Sequence, residues 1–148
     1  MHVRRNNRRR RGAESPFWSS EQREIQAVKL GRQNERAVVN ALNTRWEAPL
    51  WFLGCHISSK KQDRDGIDVV IQTMDVGELL LQVKSSDCGR RWFLLEERER
   101  GLDRPIAVVI VREGRDTKDD IRRKVLRELH PLRNRCIRLA RESIPVAI

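Results

Sequence analysis

The chain has 148 residues, of which 39% are hydrophobic and 35% charged, and its formal net charge is +10. That length suits one compact domain with a modest core, and no 18-residue apolar run offers a membrane span. The cysteines (Cys55, Cys88 and Cys136) are odd in number and widely spaced, which argues against a disulfide framework or a paired-cysteine zinc site and fits a reducing cytoplasm. Each reads as a small buried hydrophobe.

Residues 1–18 read as an arm and linker. Met1 to Gly12 holds six arginines (Arg4, Arg5, Arg8, Arg9, Arg10 and Arg11) and no acid, so it supplies +6 and leaves +4 for the rest. Such a segment is too polar to pack and is expected to be disordered alone. It reads either as a solubilising tail or as an electrostatic arm for phosphate backbones. Arginine favours the arm, because a guanidinium matches phosphate oxygens bidentately. No apolar stretch follows it as in a signal peptide.

The domain proper is expected over residues 19–132, with an extension over 133–148. Ser19 or Ser20 caps a helix with Glu21 and Gln22 in its first turn. Gly31 either breaks this helix or weakens it, and the stretch from Arg32 to Leu42 is the better helix. A strand runs through the second half of 45–53 and on to Ile57. Ser58 to Asp65 is polar and reads as a loop. Gly66-Ile67-Asp68-Val69-Val70-Ile71 and Leu79-Leu80-Leu81-Gln82-Val83-Lys84-Ser85 read as two strands of a hairpin, turned by a segment containing Asp75 and Gly77. Asp87 to Arg91 is a connection, and Trp92 to Arg100 a short helix stopped by Gly101. In that helix Trp92 and Phe93 read as core, with base stacking the alternative. The apolar run Ile106 to Val111 reads as a strand covered on both faces. Thr117 and Asp120 open a last helix, which Pro131 disturbs. The strand that follows the crossover helix joins in parallel, giving a mixed sheet flanked by helices.

Alternation puts Gln82 and Lys84 on one face of their strand and Leu81 and Val83 on the other. An acid at 68 facing them would place an anionic oxygen beside an amide oxygen and an ammonium. That set suits a hard divalent cation held next to a phosphate, and so metal-dependent cleavage of nucleic acid. Asp68 supplies the acid, Gln82 a neutral oxygen and the Val83 carbonyl a further one, while Lys84 stabilises the transition state. Whether Asp68 faces Gln82 or Val83 depends on a register that the sequence leaves open. Glu35 shares a helix face with Val38, Val39 and Leu42. It reads either as a further ligand or as an edge residue paired with Arg32 or Arg36. Asp65 reads as a turn residue of Arg64-Asp65-Gly66, and His56 as a strand-end residue. Lys60 and Lys61 are candidate backbone contacts.

The element order, with Asp68 and Gln82-Val83-Lys84, resembles the PD-(D/E)xK nuclease superfamily. The glutamine variant is similar to the Mrr-like restriction enzymes, and the helix acid to archaeal Holliday-junction resolvases. The resemblance covers about residues 31–111. It implies a restriction-endonuclease-like three-layer α/β/α fold with a mixed central sheet and core order αβββαβ. It implies Mg2+ or Mn2+ as cofactor, Asp68, Gln82 and Glu35 as metal ligands, and Lys84 as the catalytic lysine. Nucleic acid, DNA ahead of RNA, is the implied partner, and a homodimer is compatible with the family. The chain departs from the family at position 82, where an amide replaces an acid. A metal-dependent endonuclease is therefore the favoured expectation, and a catalytically inactive nuclease-fold module that binds nucleic acid the alternative.

Overall fold

A computed structural model describes residues 19–102 and 104–146. Helix α1 spans Ser20–Asn43, strand β1 Phe52–Ile57, helix α2 Lys60–Arg64, strand β2 Val69–Thr73 and strand β3 Glu78–Lys84. Helix α3 follows at Asp87–Glu99, then strand β4 at Ile106–Ile110 and helix α4 at Lys118–Glu142. The sheet order is β1-β2-β3-β4, antiparallel except for the parallel β3–β4 pair. The molecule is thus a mixed α/β fold whose four-stranded mixed sheet is flanked by helices.

One sheet face carries the main core. Val69 and Ile71 of β2, Leu79, Leu81 and Val83 of β3, and Ala107 and Val109 of β4 meet Val38, Ala41 and Leu42 of α1 and Ile121, Val125, Leu129 and Leu132 of α4. The alternate β3 residues, Leu80, Gln82 and Lys84, therefore point to the opposite face, where α3 packs on β3 and β4. The strand 106–110 is covered on both faces, as its apolar run implied, although it lies at the edge of the sheet.

Three expectations are corrected, and one left open is decided. The stretch from Ser58 to Asp65 is not all loop, because Ser59 and Gln62 form a reciprocal capping box that starts α2. Helix α3 starts at Asp87 rather than Trp92, with the Ser86 hydroxyl accepting from the Gly89 N–H at 3.0 Å. Of the two readings offered for Gly31, the structure takes the continuous helix, since α1 runs unbroken past it. Pro131 does not end α4, which continues to Glu142 through most of the expected extension. Proline forfeits one donor, but buried Leu129 and Leu132 hold the helix to the core on both sides of it.

Two asparagines fix α1. The Asn43 side chain donates to the Cys55 carbonyl at 2.8 Å and accepts from the Cys55 N–H at 3.1 Å. Asn34, 2% exposed, accepts from the Glu113 N–H at 2.9 Å. Glu35 follows directly, so its backbone position is set by a part-buried bond to the loop after β4.

Among the described residues, no helix is long and apolar enough to cross a membrane. Cys55 is buried, and burial pushes its thiol up to about 12. Cys136 is half-buried, but Cys88 is exposed on α3, against the expectation of three buried cysteines.

Candidate metal centre

The β2–β3 register pairs Val69 with Leu81 and Val70 with Leu80. Continued by one residue, it sets Asp68 opposite Gln82. Asp68 lies just outside β2, where the ladder ends, and its N–H donates to the Leu81 carbonyl at 3.0 Å. Its Oδ2 accepts the Val83 N–H at 2.8 Å. A carboxylate thus occupies the place where a further ladder carbonyl would sit, which orients it firmly although it carries charge. Two residues earlier, Gly66 has φ +79°, and a Cβ there would stand 3.2 Å from the Phe93 ring. Only glycine suits both the backbone and the space at this approach to Asp68.

Glu35 of α1 and Asp63 of α2 converge on Asp68, each offering an oxygen so that the three lie within 4.8 Å of one another. Asp68 is 6% exposed, Glu35 half-buried and Asp63 exposed. Burial and the neighbouring Asp68 and Asp63 charges push Glu35 from 4.5 to about 7, against a lowering pull from Arg32. Burial raises Asp68 from 3.8 to about 6, although the Val83 N–H and then Lys84 pull it down. The contact between the Glu35 and Asp68 carboxyls itself raises Glu35 and lowers Asp68, a smaller effect than burial in each.

Gln82 is 6% exposed, and its Oε1 is a buried oxygen with no hydrogen-bond partner. A buried carbonyl oxygen left without a donor carries a penalty of about 1–3 kcal/mol. Together these groups form an all-oxygen donor set with an orphaned acceptor beside clustered carboxylates. The set fits a hard divalent cation and would be poor for a soft one, since no cysteine or histidine belongs to it. Val83 can add only its carbonyl, because its side chain is in the core and its N–H is engaged.

Lys84 is half-buried on the same face as Gln82, its Nζ 5.5 Å from the centre of the Phe93 ring. Its carbonyl accepts the Val111 N–H at 2.9 Å, which ties that end of β3 to β4. Phe93 is buried whereas Trp92 is 62% exposed, so the expected core pair is split and only Phe93 is core. Asp65 is the C-cap residue of α2 and stays out of the cluster. His56 is exposed on β1. Lys60 and Lys61 are exposed on the first turn of α2 rather than on a loop. The six arginines Arg4, Arg5, Arg8, Arg9, Arg10 and Arg11 lie outside the described residues.

The structure therefore brings Glu35, Asp68, Gln82 and Lys84 to one end of the sheet. Asp63 is the member that the sequence reading missed. The signal was present, since Ser59-x-x-Gln62 is a capping-box pattern that makes a helix of what was read as loop. No family model matches the chain, and no curated protein or solved structure matches it either.

Proposed function

We propose that the chain is a metal-dependent endonuclease that hydrolyses phosphodiester bonds in DNA, built on a restriction-endonuclease-like core of the PD-(D/E)xK kind. The observation that carries this reading is the buried, unpartnered Gln82 Oε1 next to the Glu35–Asp63–Asp68 cluster, with Lys84 one strand position further on the same face. Asp68, Glu35, Asp63 and Gln82 would hold Mg2+ or Mn2+, with the Val83 carbonyl as a further oxygen. Such an ion supplies charge neutralisation at the phosphate and a more acidic water.

The chain's own groups have separate tasks. Asp68 is oriented by the Val83 N–H before any substrate arrives. Glu35 is placed by α1, which Asn34 ties to the loop after β4. Lys84 bears the cation nearest the cluster on β3. Its ammonium would stabilise the charge that builds on the phosphate oxygens as the water attacks. Gln82 contributes an oxygen without adding a fourth negative charge to an already repulsive group.

The test is cleavage of supercoiled plasmid, branched DNA and structured RNA with Mg2+, with Mn2+ and with chelator, beside Lys84→Ala. Metal-dependent cleavage of DNA is expected, reduced by roughly 100-fold or more in the variant, with the circular dichroism spectrum unchanged. Cleavage of RNA alone would move the substrate class. If neither protein yields a metal-dependent product, the hydrolase reading is wrong; salt-sensitive DNA binding that persisted would identify an inactive binding module.

A further inference from the structure

A cavity of about 470 Å3 opens between α1 and α2. Glu35 and Asp63 form part of its wall, so it adjoins the carboxylate cluster directly. Arg32, Arg36 and Lys60 line it as well, and all three are exposed. Val28 and Ile57, 53% and 41% exposed, add apolar surface.

Two features set this wall apart. First, several cations elsewhere in the fold whose side chains are partly buried are matched by acids. Arg104 pairs with Glu97 at 2.6 Å, Lys124 with Asp116 at 2.8 Å and Arg122 with Asp119 at 3.1 Å. Among the described residues, neither Arg36 nor Lys60 takes part in any of the side-chain hydrogen bonds or ion pairs of the fold. Second, Gly31 lies in the middle of α1, where glycine is a poor helix former. Its φ is ordinary for a helix, and a Cβ there would meet nothing within 4 Å. Neither backbone strain nor packing calls for glycine, yet the residue lines the cavity. A bare Cα at such a position lets a ligand approach the backbone closely.

We propose that this cavity is a nucleotide subsite. It would take the nucleotide adjoining the scissile phosphate on the cut strand. Arg36, Lys60 and Arg32 hold the phosphate on its far side, and Val28 and Ile57 contact its sugar and base across the space left by Gly31. The volume lies within the range of sites that enclose a small organic ligand. The identity of the ligand rests on the nuclease reading given above, while the basic, open wall stands apart from it.

The experiment measures binding of thymidine 3′,5′-bisphosphate and of a short labelled deoxyoligonucleotide to the full chain, in Ca2+ and in chelator. It also measures the steady-state cleavage of the oligonucleotide in Mg2+. Arg36→Gln and Lys60→Gln are each expected to raise both Kd and KM on the order of tenfold, the loss of one charge-assisted contact, with kcat little changed. The salt slope of binding should fall by about one in each. Gly31→Leu should melt no lower than the parent, since it improves the helix and a Cβ there has open space around it, while weakening bisphosphate binding as the charge variants do. Unaltered Kd and KM in the three variants, with cleavage intact, would overturn the subsite and leave the nuclease standing. A parent that cleaves nothing but binds the bisphosphate through Arg36 and Lys60 would support the subsite and sink the nuclease.

Discussion

Replacing Asp68 by asparagine separates the stability of this protein from its chemistry. Burial lifts the Asp68 carboxyl from 3.8 to about 6, outweighing the Val83 N–H and Lys84. A folded-state value above the unfolded one means that the folded protein holds the proton more tightly. Stability is then highest in acid and falls as pH rises between 3.8 and about 6. Beyond that window the ionised carboxylate costs ~3 kcal/mol, at about 1.36 kcal/mol per pKa unit. Glu35 acts with the same sign, between 4.5 and about 7, and is screened by its contact with solvent. Asparagine retains an oxygen for the Val83 N–H and removes the charge. In chelator at about pH 8, Asp68→Asn should therefore be more stable than the parent by ~1–3 kcal/mol, a rise in Tm of several degrees. The parent should recover the difference when a divalent cation is added, by about 2.7 kcal/mol at a concentration 100 times its Kd, and the variant should recover little. Thermal unfolding followed by circular dichroism from about pH 5 to about pH 8, with and without Mg2+ or Mn2+, reads all of this. A variant less stable than the parent at the upper pH in chelator, or a parent whose Tm ignores both pH and cation, would refute the reasoning.

Gln82→Glu adds a fourth carboxylate to the cluster; it should lower Tm in chelator at about pH 8 and tighten divalent-cation binding by tenfold or more, read by titration calorimetry. Asn34→Ala strands the Glu113 N–H and should cost ~1–3 kcal/mol in urea denaturation, with an unchanged midpoint arguing against the pinning of α1. Deleting residues 1–12 removes six arginines and should reduce the salt slope of DNA binding by about five while leaving Tm alone; a slope that stays the same would remove the arm from the interface.

The sheet and the long helices were legible because their patterns are regular. Alternation placed Leu81 and Val83 in the core and Gln82 and Lys84 opposite, and the continuous run 106–111 marked a doubly covered strand. Register was not legible, because the turn around Asp75 and Gly77 does not fix it by composition. What settles Asp68 is a strand end, where its carboxylate replaces a ladder carbonyl on the Val83 N–H. Asp63 was hidden by the polarity of 58–65, which composition assigns to loop although a capping box starts a helix there. The extent of α4 was hidden by Pro131, whose local cost is outweighed by tertiary contacts. Beyond it, Arg133 pairs with Asp75 and its guanidinium lies 5.1 Å from the centre of the Trp51 ring. Those partners are distant in sequence and leave no periodic trace.

The treatment of a second buried acid sharpens the meaning of the cluster. Glu97 on α3 is 9% exposed, nearly as buried as Asp68. It receives two guanidinium hydrogen bonds from Arg104, at 2.6 and 3.1 Å. The chain thus neutralises a buried carboxylate when its role is structural. At Asp68 it does the reverse, adding Glu35 and Asp63 and an amide oxygen without a donor. Such a group is tolerated only because its surroundings are fixed: Asn34 and Asn43 hold α1, Gly66 admits Phe93, and the main core lies on the other face of the same strands. Lys84 pulls Asp68 down and Arg32 pulls Glu35 down, but burial outweighs both. The arrangement is therefore under-compensated within the chain, and a cation bound by those oxygens would relieve every part of it at once: the carboxylate repulsion, the burial of charge and the orphaned carbonyl of Gln82.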